Sequence, residues 1–240
     1  MNQSHVFITG ADRGLGFALT KNFLEKGYRV IAGRNMPEVN QLDALAEHYE
    51  GRLLSVSLDV TSDQSSAEAA EVISTYTSAL DIIINNAGIV GDTTATVHDP
   101  LPFDNMMQVY NVNALGPLRV SHALMPLLLA GKTKRIVNIS SEAGSIAATS
   151  RTSWYGYCMS KAALNMQSAV LHNDLKQHGG QVLILHPGWV KTYMSGVLSE
   201  VGDLTADQSA AYLAELIVKA TPEPAEKPIF IDYSGEVWPW

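Results

Sequence analysis

Short apolar runs alternate along this chain with longer segments whose apolar positions recur every three or four residues, as expected of strands and amphipathic helices taking turns. The run His5-Val-Phe-Ile-Thr9 breaks at Gly10, and Leu15, Ala18, Leu19, Phe23 and Leu24 then mark one helix face ending at Gly27. The pattern repeats downstream. It predicts strands over residues 29–33, 53–58, 81–84, 135–139, 181–186 and 228–232. Between them it predicts helices over 39–49, 65–78, 102–130, 155–178 and 205–220. The helix at 65–78 is entered through the capping cluster Thr61-Ser-Asp63, and the one at 102–130 continues through Gly116-Pro117. Ile82-Ile-Ile84 and Val182-Leu-Ile-Leu185 are apolar without alternation, which suits strands covered by helices on both faces. The expected fold class is α/β, a doubly wound parallel sheet of about seven strands flanked by helices.

Composition narrows the function classes. Of 240 residues, 46% are hydrophobic and 17% charged, enough to bury one sizeable core, so a single domain over residues 1–240 is expected. Lys+Arg 16 against Asp+Glu 24 leaves a net charge of −8, which repels nucleic acid and anionic lipid, so neither nucleic acid nor a membrane is an expected partner. Cys158 is the lone cysteine, which excludes an intrachain disulfide and a Cys-rich zinc site and fits a reducing, cytoplasmic compartment. The opening Met1-Asn-Gln-Ser-His-Val-Phe-Ile lacks a basic flank and a long apolar core, so no signal peptide is expected. The histidines do not pair at ligand spacing, so no metal is expected, and His186 reads as a structural residue at a strand end.

Candidate chemistry gathers where strands end. Thr9-Gly10-Ala-Asp-Arg-Gly14-Leu-Gly16 lies between the first strand and the first helix, where free N–H groups and the helix dipole can hold a pyrophosphate. Its spacing, G-x-x-x-G-x-G, departs from the G-x-G-x-x-G fingerprint, and a glycine turn with no ligand is the competing reading. Tyr157-Cys-Met-Ser-Lys161 places a phenol and an ammonium four residues apart on one helix face, where the cation would pull the phenol toward ionisation at working pH.

With Asn85-Asn-Ala-Gly88, Asn113, Ser141 and Pro187-Gly188, these motifs resemble the short-chain dehydrogenase/reductase family in its single-domain branch, over the whole chain. Ser140-Ser141-Glu-Ala-Gly-Ser145, His186-Pro-Gly-Trp-Val-Lys-Thr192 and the ending Ile231 to Trp240 are most similar to C-factor-type and sniffer-type carbonyl reductases. The resemblance implies a Rossmann fold and an oxidoreductase moving hydride between a nicotinamide and a small uncharged carbonyl or alcohol. It implies that Tyr157 is the acid/base, that Lys161 holds the nicotinamide ribose and keeps the phenol acidic, and that Ser141 steadies the carbonyl oxygen. Asn113 is implied to hold a water that returns a proton to Lys161. Ser140 competes with Ser141, family register favouring Ser141, while Asn111 reads as helix interior and local cap.

Charge argues the cofactor form. The second strand ends at Arg34, where an acid would suit NAD(H), and Arg13 sits inside the glycine turn, so NADP(H) is expected and NAD(H) less favoured. The implied cofactor set also holds Gly10, Gly14, Leu15, Gly16, Asp59, Val60, Asn86, Ala87, Gly88, Tyr157, Lys161, Pro187, Gly188, Val190 and Thr192. A short substrate lid is expected at about 189–204. Ser141, Trp154, Tyr157, Trp189 and Met194 would form an apolar pocket with one polar focus and no Arg or Lys placed to pair an anion. Cys158 reads as a small buried hydrophobe rather than a nucleophile. A homodimer or homotetramer is expected, and the alternative function is a nucleotide-binding signalling protein whose output is binding.

Overall fold

The computed structural model describes residues 4–194, 196–221 and 224–240. Its strands are β1 (His5–Ile8), β2 (Arg29–Arg34), β3 (Leu53–Ser57), β4 (Ile82–Asn85), β5 (Arg135–Ile139), β6 (Gln181–His186) and β7 (Ile229–Asp232). They form one sheet in the order β3-β2-β1-β4-β5-β6-β7, parallel throughout, so the doubly wound α/β architecture expected from the pattern is what the chain adopts. The helices are α1 (Gly14–Glu25), α2 (Gln41–His48), α3 (Asp63–Tyr76), α4 (Phe103–Tyr110), α5 (Gly116–Ala130), α6 (Tyr155–Leu175) and α7 (Ala206–Lys219).

Alternate residues of each strand face opposite helix layers. Val6, Ile8, Ile82 and Ile84 pack with Leu19, Phe23 and Leu213 of α1 and α7, whereas Phe7, Ile31 and Ile83 pack with Ile73, Val120 and Leu124 of α3 and α5. Fully burying each such side chain is worth about 1.5–3 kcal/mol, so the two layers hold the sheet from both faces. Connections run from β1 to the β2–β3 side and then return to β4, which opens a crevice at the carboxyl ends of β1 and β4. Ligands of doubly wound sheets bind at such a reversal point.

Several boundaries differ from the sequence pattern. The helix expected at 65–78 begins earlier, at Asp63, because the Ser62 hydroxyl accepts the Ser65 N–H and caps it. The helix expected at 155–178 ends at Leu175, and a 3₁₀ turn over Lys176–His178 leads into Gly179 at φ +74°. The single helix expected at 102–130 is α4, then a π-helical turn over Asn111–Leu115, then α5, with Pro117 in its first turn. Proline lacks an N–H, so a residue at that position suits a fresh helix start better than an uninterrupted interior. Such wide turns inside helices are rare and are frequently found at functional sites. Arg135, buried in the β5 strand, donates to the Ala220 and Thr221 carbonyls at 3.2 and 3.1 Å and so closes the exit of α7.

Candidate active site

At the end of β1, Gly10 and Gly14 take φ of +62° and +58°, which only glycine adopts without strain. A Cβ on Gly16 would lie 2.1 Å from the Gly10 carbonyl oxygen and 2.6 Å from Asn86 Nδ2, so α1 can approach the turn only as glycine. The first N–H groups of α1 have no intrahelical partner, and Arg13 at the N-cap supplies no side-chain cap. Those donors are available to an anion, so the turn fits a pyrophosphate. Thr9 Oγ1 accepts the N–H groups of Asn86 and Ala87, each at 3.0 Å, while Asn86 Nδ2 donates to the Thr9 and Gly10 carbonyls at 3.0 and 3.2 Å. The two loops across the crevice are thereby tied together.

Below the crevice, buried polar side chains bind one another. Asn85 Nδ2 donates to Asn138 Oδ1 at 2.8 Å and to Ser121 Oγ at 3.1 Å, and Asn138 Nδ2 donates to Ser168 Oγ at 2.7 Å. The π turn points Asn113 into the same interior. There its Oδ1 accepts the Ile89 N–H at 2.9 Å, and its Nδ2 donates to the Ile89 carbonyl at 2.8 Å and to Ser160 Oγ at 3.0 Å. Asn111 faces elsewhere, within 3.3 Å of Arg119 Nη2.

Tyr157 and Lys161 share the first turns of α6 and are buried, at 6% and 2% exposure. Lys161 Nζ donates to the Ile139 carbonyl at 2.8 Å and lies 5.6 Å from the Tyr157 ring centre. A Cβ at Gly88 would sit 3.8 Å from Nζ, so the loop after β4 passes over the ammonium. Burial pulls the Lys161 ammonium down to about 8. The expectation that Lys161 pulls the phenol toward ionisation is not met here. Burial pushes Tyr157 well above its ordinary range and the Glu142 carboxylate adds to that, while the Ser141 hydroxyl and Arg151 only partly oppose them. Ser140 and Ser141 are engaged in different directions. Ser140 Oγ donates to Asn165 Oδ1 at 2.7 Å inside the core, and Ser141 caps the 3₁₀ turn Glu142–Gly144 on the Tyr157 side.

The residues expected around the cofactor differ in how far their side chains are already engaged. Arg34 ends β2 in register with Ser57, and its Nη1 pairs with Asp43 at 3.0 Å. The Arg13 guanidinium lies 4.7 Å from the centre of the Tyr193 ring. Asp59 Oδ1 accepts from the Thr61 N–H at 2.8 Å, and the Val60 carbonyl accepts from Arg119 Nη1 at 2.7 Å. In the segment expected as a lid, of which Ser195 lies outside the described residues, Val190 bridges Leu204, the Lys191 N–H reaches the Leu204 carbonyl at 2.9 Å, and the Ser199 N–H reaches the Thr192 carbonyl at 2.9 Å. The Pro187 carbonyl accepts from Ser209 Oγ at 2.7 Å, which ties the exit of β6 to α7. Trp154 approaches Tyr157 edge-on with ring centres 5.9 Å apart, and Met194 Cε would contact a Cβ at Gly88 at 3.6 Å. Trp189 is 59% exposed and turned outward.

The short chain dehydrogenase family profile matches residues 4–201 of this sequence. The chain belongs to the short-chain dehydrogenase family. It is similar to the C-signal protein of Myxococcus xanthus, 38% identical over 164 residues that cover 68% of this chain and 95% of that one. It is also similar to two solved structures. One is the NADPH-bound carbonyl reductase from chicken fatty liver, at 31% identity, TM-score 0.88 and full coverage of both chains. The other is the carbonyl reductase Sniffer of Drosophila melanogaster, at 25% identity, TM-score 0.88 and full coverage of both chains. The C-factor-type and sniffer-type resemblance is therefore borne out.

Sequence reasoning missed part of what surrounds the phenol of this short-chain dehydrogenase. The pocket was expected to hold no spare Arg or Lys placed to pair an anion, and the Arg151 guanidinium that lies 4.5 Å from the Trp154 ring centre is already paired with Glu142. Neither residue had a motif to betray it. Arg151 falls in an irregular segment between β5 and α6, and Glu142 stands inside the Ser140–Ser145 run at a position that no spacing marks. Among the described residues there is no cluster of groups able to hold a metal ion, and no helix is long and apolar enough to cross a membrane.

Proposed function

We propose that this short-chain dehydrogenase is an NADP(H)-dependent reductase of small uncharged carbonyls, running equally as an alcohol dehydrogenase when the substrate balance reverses. The observation that carries the reading is the convergence of Ser141, Tyr157 and Lys161 at the crevice beside a glycine turn whose free N–H groups fit a pyrophosphate. That two similar solved structures hold NADPH and NADP supports the cofactor form.

Gly10, Gly14, Leu15 and Gly16 would hold the phosphates, Arg13 and Arg34 the 2′-phosphate, and Asp59, Val60, Asn86, Ala87 and Gly88 the adenosine half. Lys161, with Pro187, Gly188, Val190 and Thr192, would hold the nicotinamide half. When bound, the nicotinamide supplies a hydride to the carbonyl carbon or accepts one from the alcohol carbon. The chain manages the proton. Tyr157 gives its phenolic proton to the carbonyl oxygen in reduction and takes it back in oxidation, so hydride and proton together make the two-electron change. The raised phenol suits the reductive direction, since Tyr157 remains protonated through neutral pH. Ser141 steadies the oxygen as charge builds, and Lys161, once a ribose and phenolate partner it, favours the ionised phenol that forms. Asn113, rigidly held in the π turn, positions the water through which Lys161 regains a proton.

Trp154 and Met194 line the substrate side, with the segment at 189–204 as a short lid and Trp189 at its outer edge. Arg151 is matched by Glu142, so an anionic substrate meets no uncompensated cation and neutral carbonyls are preferred. The lone Cys158 suits a reducing cytoplasm. Signalling by binding alone is not favoured, because the proposed acid, oxygen holder and lysine are all present and in reach of one another. The experiment is an NADPH-coupled panel of neutral aryl and aliphatic carbonyls beside keto acids, run on the parent and on Tyr157→Phe. Turnover of neutral carbonyls is expected, with loss of at least about a thousandfold in Tyr157→Phe and NADPH affinity nearly unchanged. Full turnover by Tyr157→Phe would remove the assignment.

A further inference from the structure

Beside Ser141 and Tyr157 stands a charged group to which the proposed reaction gives no task. Glu142 Oε2 accepts the hydrogen bond donated by Ser141 Oγ at 2.5 Å. Its Oε1 is clamped by Arg151 Nη2, whose guanidinium lies on the same Trp154 ring that meets Tyr157 edge-on. From the opposite side His186 Nδ1 stands 3.9 Å from Oε2, buried with no hydrogen-bond partner, and its ring is held against Trp238 at 5.5 Å.

The geometry constrains what Ser141 can do. A serine hydroxyl has one proton and two lone pairs. Here one lone pair takes the Ala143 N–H at 3.2 Å and the proton goes to Glu142, so the hydroxyl can oppose the rise of Tyr157 or hold a bound oxygen only by turning that proton away from the carboxylate. Ser141 can donate to a carbonyl oxygen only by withdrawing its proton from a carboxylate, and hydrogen bonds to an ionised acceptor are roughly twice as strong as neutral ones.

We propose that Glu142, clamped by Arg151, is a positioning residue that sets which way the Ser141 hydroxyl points and keeps the proton on Tyr157. The inference rests on reading Ser141 as the oxygen holder and Tyr157 as the acid. The charged and titratable groups facing this cluster are Arg151 ahead of α6, Tyr157, Cys158 and Lys161 on α6, His186 at the end of β6 and Asp232 at the end of β7. Burial pushes Glu142 up, but the Ser141 hydrogen bond, His186 and Arg151 outweigh it and hold the carboxyl below its ordinary range, so it is ionised at neutral pH. Burial pulls His186 down and Lys161 adds to that, against Glu142 and Asp232, so the imidazole is neutral there. The ionised carboxylate is therefore the charge that disfavours phenolate, and Arg151 is the charge that limits it.

The test uses the full chain and Glu142→Gln, which keeps the shape and the hydrogen-bonding reach but not the charge. In alcohol oxidation with NADP, the pH at half-maximal rate is expected to fall by about one unit. In carbonyl reduction, KM is expected to fall about threefold, because a neutral amide holds the Ser141 proton less firmly. Glu142→Asp, which restores the charge, should return the pH profile toward the parent, and Arg151→Met, which leaves the carboxylate unmatched, should move it upward. A Glu142→Gln profile superimposable on the parent, or one moving in the same direction as Arg151→Met, overturns the proposal. Tyr157→Phe separates the two claims. If that variant is inactive and the Glu142→Gln profile stays put, the positioning role alone falls; if it turns over fully, the functional reading falls with it.

Discussion

Lys161→Met should make the cofactor-free protein more stable while abolishing its activity. The Lys161 ammonium is 2% exposed, and burial moves it from 10.5 to about 8. That difference corresponds to about 3 kcal/mol by which the native state disfavours the charged form. The sign follows from proton counting. Between pH about 8 and 10.5 the unfolded chain holds a proton on this lysine that the native chain has released, so native stability rises with pH across that window. Below about pH 8 the full cost is present, and above 10.5 it has gone. Methionine has similar length without charge. It gives up the 2.8 Å hydrogen bond from a charged donor to the Ile139 carbonyl, worth about 2 kcal/mol, so a net gain of about 1 kcal/mol is expected at pH 7. For a chain of this size that is roughly 2–4 °C in melting temperature. Thermal and urea unfolding of both proteins without nucleotide, at pH 7 and at pH 9.5, provide the assay. The gap should be clear at pH 7 and shrink at pH 9.5. A variant less stable than the parent at pH 7, or a gap that ignores pH, would refute the reasoning.

Two further outcomes follow from the surface. NADPH should bind at least about tenfold more tightly than NADH, and Arg34→Asp should remove most of that preference by placing like charge beside the 2′-phosphate; equal dissociation constants in the parent would defeat the assignment. Met107 on α4 and Met166 and Val170 on α6 are each more than 60% exposed and lie on neighbouring helices, so light scattering should give a mass of two or four times the 26.0 kDa chain, and a mass near 26.0 kDa would defeat the expected oligomer.

What the sequence made legible was whatever the backbone dictates locally. Uninterrupted apolar runs marked buried parallel strands, and Gly10, Gly14 and Gly16 marked a turn in which positive φ and close approach leave no room for a Cβ. Tyr157 and Lys161 were legible because helical spacing alone puts them on one face. The π turn was not, since period and propensity read 102–130 as one helix, and a single extra residue per turn leaves no mark in so apolar a stretch. Nor was the direction of the phenol's shift. Helical spacing brings the cation within 5.6 Å of the ring, but only the tertiary structure shows that both groups are buried and that Glu142 stands on the other side.

The same contrast explains where this fold places its least favourable groups. Lys161, Asn113, Asn85 and Asn138 all lie within 2% of full burial around the ends of β4 and β5, where an apolar side chain would pack at lower cost. Each is held by at least one hydrogen bond from a different element: Ile139 for Lys161, Ile89 and Ser160 for Asn113, Ser121 for Asn85 and Ser168 for Asn138. A network tied to several elements admits essentially one arrangement, because moving any member strands its neighbours' polar atoms, as Asn85 Oδ1 already is. The apolar layers on both faces of the sheet offset the cost of that network. In return the Lys161 ammonium stands fixed against the Ile139 carbonyl before any substrate arrives, and the Ser141 hydroxyl is the one group of the set that still has to turn.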